Sequence, residues 1–193
     1  SRILRMGRPR SFDRDVALQC ALRAFWEHGY DQTSISDLTD AMGINPPSLY
    51  AAFGDKQTLF DEVVERYQSD PTSFIATALA APRTHDVIDQ LLHGAADSYT
   101  RAGQPPGCMV MSEPKLAAHR ATSLAALTAR LRRGVADGDL PEGTDADALA
   151  GFLASVMTGM SAAARDGATA ADLHATADLA CRAVPAAPRR RRS

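Results

Sequence analysis

The sequence predicts an all-α protein, with an N-terminal three-helix domain carrying a helix-turn-helix and a C-terminal helical bundle, about nine helices in total. Apolar residues recur at three- and four-residue intervals in segment after segment. Those segments open on Asp, Ser or Asn and close on Gly, the start and stop signals of helices. No segment alternates polar and apolar residues over enough length to make a strand.

The first helix opens at Asp13, whose carboxylate accepts from otherwise unpaired backbone N–H groups. Val16, Ala17, Cys20, Ala21, Ala24 and Phe25 supply its inner face. Gly29 ends it in the left-handed conformation that glycine adopts at no steric cost. Ser34 announces the second helix, with Asp37 three residues on in an acidic version of the capping box. Ile35, Leu38, Ala41 and Met42 are its inner face, Gly43 closes it, and Ile44 plugs the turn. Asn45 caps the third helix, whose first turn accepts Pro46 and Pro47 because those N–H groups have no partner in any case. Leu49 and Phe53, four apart, face inward. Gly54 stops that helix and Asp55 caps the next, which carries Leu59, Phe60, Val63, Val64 and Tyr67 as an apolar stripe.

Asp70-Pro71 breaks the pattern, and beyond it the chain becomes alanine-rich. Helices are expected over about 72–81, 84–102, 114–137, 145–165 and 170–184, separated by Pro82, the 103–107 Gly/Pro stretch, 138–143 and Gly167. The domains expected are a flexible basic arm (1–10), a helix-turn-helix domain (11–56), a ligand-binding and dimerisation domain (57–185) and a disordered Arg-rich tail (186–193).

Composition restricts the function. The chain has 193 residues, 45% hydrophobic and 23% charged, which is globular and long enough to bury a core. No apolar run approaches the roughly 20 residues that cross a bilayer, and the first residues hold no hydrophobic signal core, so a cytoplasmic protein without a membrane partner is expected. Three widely spaced cysteines do not make a secreted disulfide scaffold. No phosphate loop, nucleophile elbow or paired metal-ligand motif is present, so neither an enzyme nor a cofactor is expected. His85, His93, His119 and His174 are scattered over three predicted helices, with only His85 and His93 near one face, and no metal site is assigned to them.

The net charge of −2 does not advertise nucleic acid, but Arg2, Arg5, Arg8 and Arg10 crowd the first ten residues. In a helix-turn-helix the second helix lies in the major groove, which requires a short helix held rigidly from behind. With Leu49 and Phe53 as the anchor, the third helix presents Pro47, Ser48, Tyr50, Ala51 and Ala52. Ser48 and Tyr50 can hydrogen-bond phosphates or base edges. Thr33 and Ser34 place hydroxyls at one helix N-terminus and Lys56 places a charge at another, both suited to clamping phosphate. Thr33 and Ser48 as simple caps, and Pro47 as a simple helix start, are the plainer alternatives. Arg8 and Arg10 either form a minor-groove arm or belong to a solvated terminus.

Gly7-Arg8-Pro9-Arg10, Ala24-Phe25, Gly29-Tyr30, Thr33, Ile35, Ala41-Met42-Gly43, Leu49-Tyr50, Phe53 and Lys56 stand in one order and spacing. Together they resemble the N-terminal domain of the tetracycline-repressor (TetR) family of bacterial regulators, over about residues 7 to 67. The resemblance implies an all-α homodimer on a roughly palindromic double-stranded operator, with an inducer site in a divergent C-terminal domain. It also implies DNA contacts at Thr33, Pro47, Ser48, Tyr50 and Lys56. Ala51 and Ala52 depart from relatives that carry aromatic or histidine residues there, which removes hydrogen-bonded readout at those two positions. Ligand binding would act by shifting the fourth helix and so the spacing of the two reading heads.

Within the second domain, Gly151, Ser155, Gly159 and Ala163 recur every four residues beside Val156, a small-residue stripe that admits close helix approach. Leu173, Ala177 and Ala180 follow at helical spacing on the last helix. These residues are read as the dimer interface, a four-helix contact between two copies; packing inside one subunit is the alternative. Phe74, Leu91, Tyr99, Cys108, Met109, Met111, Phe152 and Met157 are candidate lining for an unknown small-molecule inducer, and core packing explains each equally well. Cys108 between methionines leaves thiol or metal sensing as a further alternative. An assembly-only bundle without inducer, and a helical enzyme fused to a DNA-binding module, are the remaining rivals.

Overall fold

The computed structural model describes residues 12–70 and 73–185, and all regular structure among them is helical. Ten α-helices and one short 3-10 turn follow in order: α1 (Arg14–His28), α2 (Ile35–Met42), α3 (Pro46–Phe53), α4 (Lys56–Gln68), α5 (Phe74–Leu79), α6 (Thr84–Tyr99), α7 (Met109–Ser112), the 3-10 turn Pro114–Leu116, α8 (Ala117–Ala136), α9 (Ala146–Arg165) and α10 (Ala170–Ala183). The chain divides into two compact units at Ser69/Asp70. That corrects the expected boundary at 56: α4 belongs with the first unit, because Leu59, Phe60, Val63 and Val64 are buried in its core. The basic arm with Arg8 and Arg10, and the Arg-rich tail, lie outside the described residues.

In the first unit α1 packs on α2 and α4, while α3 lies against α2 and α4. The core is built around Phe25, Leu38, Leu49, Phe53, Leu59 and Phe60, all at most 2% exposed. Phe25, Tyr30 and Phe60 stack together, Phe25 meeting Phe60 edge-on at 5.1 Å between centroids. Burial of Phe25 and of Phe60 contributes about 1.5–3 kcal/mol each. The expected inner face of α1 is only partly rotated in the structure: Ala17, Ala21, Ala24 and Phe25 are buried as expected. Val16 is 59% exposed, and Leu18, Leu22 and Trp26 take the buried positions instead. Both stripes satisfy helical spacing, and the larger side chains win the core. Ala41 is likewise exposed rather than inward.

Helix ends follow the predicted chemistry closely. Asp13 accepts from the N–H groups of Asp15 and Val16, Asn45 from Ser48 and Asp55 from Thr58. Ser34–Asp37 and Thr169–Asp172 are reciprocal capping boxes. Gly29 departs from expectation: φ 78° with ψ 167° is a sharp extended exit, a region open essentially to glycine, in place of a left-handed cap.

In the second unit α6 packs against α5, α9 and α10, and α8 against α9. Arg130 of α8 is buried and ties the start of α6 in place, donating to the Thr84 hydroxyl (3.0 Å) and the Ala81 carbonyl (3.0 Å). Asp139 supplies the cap that Arg83 does not, accepting from the Thr84 N–H at 2.9 Å. Gly134 is required there, because a Cβ would overlap the Thr84 hydroxyl. The sequence reading missed α7, which has only four residues, and the 3-10 turn before α8; α6 ends at Tyr99, short of the expected 102. Helix α9 is long and apolar enough to cross a membrane by length and composition, contrary to the expectation that no segment is. Its Leu149, Ala150, Leu153, Met157, Met160 and Ala164 are buried in the core of the second unit.

Candidate nucleic-acid interface

Helix α3 has one apolar side and one open side. Leu49 and Phe53 are buried, while Pro46, Pro47, Tyr50 and Ala51 are exposed and Ser48 and Ala52 half-buried. Tyr50 follows the buried Leu49 and stands 50% exposed on the outer face. A large aromatic left in water on a short, firmly anchored helix has no packing role, and its hydroxyl is placed to donate or accept beyond the protein surface.

What holds α3 was only partly visible in the sequence. Arg14 makes two hydrogen bonds to the Glu62 carboxylate, at 2.8 and 2.7 Å, from α1 to α4. The same guanidinium donates to the Ala52 carbonyl in the last turn of α3, at 3.3 Å from Nη2, and lies 4.5 Å above the Phe53 ring. A cation at the C-terminal end of α3 also meets the negative end of that helix's dipole. Arg14 was missed because its partners are 38 and 48 residues away and no local pattern encodes them.

The two flanking helix N-termini differ from expectation. Thr33 is 1% exposed and its hydroxyl donates to the Gly29 carbonyl at 2.6 Å, so its side chain locks the turn before α2 and is withdrawn from any phosphate. Ser34 is exposed, but its hydroxyl is engaged in the capping box, donating to Asp37 at 2.6 Å while accepting from the Asp37 N–H. Hydrogen bonds from the Ser34 hydroxyl and N–H hold the Asp37 carboxyl below its usual range. Those from the Thr58 N–H and hydroxyl do the same for Asp55. Both carboxylates are therefore ionised at neutral pH at the starts of α2 and α4. The first-turn N–H groups of Ile35 and Ser36, which helix geometry leaves without an intrahelical acceptor, remain as donors. Lys56 opens α4 with its ammonium 4.2 Å from the centre of the Tyr30 ring. Because Tyr30 is fixed by Phe25 and Phe60, this cation–π contact gives a flexible lysine a defined position.

Both the sequence and the fold of the chain are matched by known proteins. Residues 17–63 fit the family model for bacterial regulatory proteins of the tetR family. The chain is 32% identical to the HTH-type transcriptional repressor ComR of Escherichia coli strain K12, covering 93% of this chain and 92% of that one. The chain belongs to the TetR family. It is also 34% identical to the HTH-type transcriptional repressor BdcR of the same strain, over 92% of each. Among solved structures, a cysteine mutant of the TetR family transcriptional regulator CifR, complexed with 26 bp double-strand operator DNA, superposes with a TM-score of 0.86. It is 39% identical, and the match covers 93% of this chain and 100% of that one.

Within this TetR-family chain the other expected sites are redistributed. Leu91, Tyr99, Cys108, Met109 and Met157 are buried in the second unit. Cys108 donates its N–H to the Ser161 hydroxyl at 2.9 Å, and Gly107 donates to the Tyr99 carbonyl at 2.8 Å, which brings the end of α6, the start of α7 and the C-terminal part of α9 together. Phe74 packs over Gly94, and Met111 is half-buried, its sulfur 3.7 Å from the Thr158 hydroxyl. Phe152 does not join them. It is 40% exposed, because it points away from the stripe formed by Leu149, Leu153 and Met157.

The expected dimer face also divides. Leu173, Ala177 and Ala180 are buried inside the subunit, facing the α6 and α9 side of α10, and are core residues rather than interface. Ser155 and Gly159 are exposed and Gly151, Val156 and Ala163 half-buried, with open space beyond Gly151 and Gly159. Phe152 and, on α10, Leu179 at 63% exposure are the large apolar side chains left uncovered on these two helices. His93 and His174, expected to lie apart, are in contact.

Proposed function

We propose that the protein is a transcriptional repressor that binds a two-fold symmetric operator as a homodimer and is released by a small molecule held in its second unit. The observation that carries this reading is the exposed Tyr50 face of α3 on its Leu49/Phe53 anchor. Ser48 and Tyr50 read or position on the DNA, Pro47 sets the approach of the helix, and Lys56 with the first turn of α2 at Ser34 holds the backbone on either side. Thr33 acts from inside, by fixing the turn. Ala51 and Ala52 offer only methyl groups, which suit thymine methyl contact rather than hydrogen-bonded readout. The relatives named as repressors, and the operator complex of the CifR mutant, support the assignment.

The homodimer is supported by the uncovered α9 surface of Gly151, Phe152, Ser155 and Gly159 together with Leu179 of α10, because a two-fold operator reader needs a self-complementary contact. The inducer would bind around Tyr99, Cys108, Met109 and Met157, where apolar side chains and the Ser161 hydroxyl converge. It acts only through different affinities for DNA-bound and DNA-free geometries of the dimer. To test the DNA reading, Tyr50→Ala and Lys56→Ala are compared with wild type on a duplex selected by the wild-type chain. Weaker binding with unchanged circular dichroism supports the assignment; wild-type affinity in both variants overturns it.

A further inference from the structure

We propose that α6 and α10 form a binding site for a divalent transition metal of the zinc class, with Asp89, His93 and Cys181 as ligands and Asp178 closing the fourth position. The ligand atoms of Asp89, His93 and Cys181 all lie within 4.8 Å of one another. His93 Nε2 is 3.6 Å from an Asp89 oxygen and 3.4 Å from an Asp178 oxygen. Ligands on a tetrahedral zinc, with bonds of about 2.0–2.3 Å, sit roughly 3.3–3.8 Å from each other. The two contacts of His93 fall inside that range, and the remaining separations, up to 4.8 Å among Asp89, His93 and Cys181, would close as the side chains contract around an ion and Asp178 turns in.

The spacing follows from the helices. Asp89 and His93 are one turn apart on α6, and Asp178 and Cys181 one turn apart on α10; the two helices pack directly on each other. Imidazole nitrogen, thiolate sulfur and carboxylate oxygen together match the ligand preferences of zinc, whereas calcium or magnesium demands oxygen alone. Binding converts the Cys181 thiol to a thiolate and releases its proton to solvent.

A second, independent arrangement points to the same place. His93 Nδ1 is 2.8 Å from His174 Nδ1, and His174 Nε2 is 2.7 Å from an Asp97 oxygen. With both rings neutral, a single pattern of protons satisfies both contacts. Nδ1–H of His93 donates to His174, and Nε2–H of His174 donates to Asp97. In that arrangement the Nε2 edge of His93 faces Asp89, Asp178 and Cys181, with the Nδ1 edge tied to His174. His174 and Asp97 are then the outer partners that fix a ligating histidine's tautomer and ring orientation.

The test uses the full chain, stripped with a chelator, kept reduced by a phosphine and titrated with Co²⁺ as a spectroscopic stand-in. The expected result is saturation at one Co²⁺ per chain, with thiolate-to-cobalt absorption in the near ultraviolet that Zn²⁺ abolishes by displacement. Cys181→Ser should remove that band and His93→Gln should remove saturable binding, whereas Cys20→Ser and Cys108→Ser retain both. His174→Ala should weaken binding about ten- to a hundredfold, the usual cost of an outer-shell partner. Absence of saturable binding in wild type, a band that survives Cys181→Ser, or a band lost in Cys108→Ser overturns the site; unchanged affinity in His174→Ala overturns the relay. His93, His174, Cys181 and Cys20 lie on half-buried positions and Cys108 is buried, so circular dichroism of every variant distinguishes lost ligands from lost fold. DNA binding by the stripped chain is read separately and bears on the repressor assignment alone.

Discussion

Arg14 joins three helices through one planar group: the Glu62 carboxylate on α4, the Ala52 carbonyl on α3, and the face of Phe53. Because the pair is about one-third exposed, its ionic part is screened, and most of its value is geometric. Arg14→Ala should cost about 1–2 kcal/mol in urea unfolding and lower affinity for a selected duplex although Arg14 is not itself one of the proposed DNA contacts. A variant with full stability and full affinity would show that α3 is held by its apolar anchor alone. Lys56 calls for a different readout. Lys56→Ala should reduce the slope of log affinity against log salt by about one unit, the signature of one lost phosphate contact, and leave sequence preference unchanged. Tyr50→Ala should instead weaken binding with less change in that slope. At this scale the sequence revealed what local rules encode: Ser34–Asp37, Asn45–Ser48 and Asp55–Thr58 are caps three residues long. It concealed the burial of Thr33 and the reach of Arg14. A hydroxyl at a helix start looks the same whether it faces water or a carbonyl behind it.

At the scale of the elements, four carboxylates share one physical state. Hydrogen bonds at Asp37, Asp55 and Asp172, and the Thr84 N–H at Asp139, hold these groups below the usual carboxylate range. A pKa lower in the folded chain than in the unfolded one contributes stability that is fully present above about pH 4. That stability is lost as pH falls through the lowered folded values. The melting temperature should therefore be flat near neutrality and drop below about pH 4. Asp139→Asn should lower the neutral-pH value and flatten the acid limb, and an unchanged acid limb would remove Asp139 from the account. Gly134→Ala tests the same junction sterically. The added methyl meets Thr84 where Arg130 also docks, and a loss of about 1–3 kcal/mol is expected for such overpacking. Long helices such as α9 were legible because twenty residues average out local ambiguity. α7 was not, since four residues between Cys108 and Glu113 carry no periodicity. The partly rotated face of α1 has another cause. Val16 and Leu18 lie on alternative stripes of one helix, and only packing against α2 and α4 decides between them.

At the scale of the whole molecule, sequence and structure agree on a two-part helical chain and differ on how its surfaces are used. Leu173, Ala177 and Ala180 had the spacing of an interface and proved to be core, because a stripe of small apolar residues serves either purpose and only a partner helix distinguishes them. The stripe on α9 keeps the opposite character, with Gly159 open and Phe152 and Leu179 uncovered. Gly159→Arg adds a bulky charge to that open face and should leave the fold intact while shifting sedimentation from dimer to monomer. DNA affinity should fall with it, since each copy would then engage one half-site alone. A variant that remains dimeric would move the interface elsewhere. The central claim, that two copies present α3 to a two-fold operator, is tested most directly by selecting duplexes from a random pool with the full wild-type chain. The expected result is enrichment of an inverted repeat with half-sites about one helical turn, or a multiple of it, apart. No enrichment, or a single asymmetric motif bound by a monomer, would contradict it.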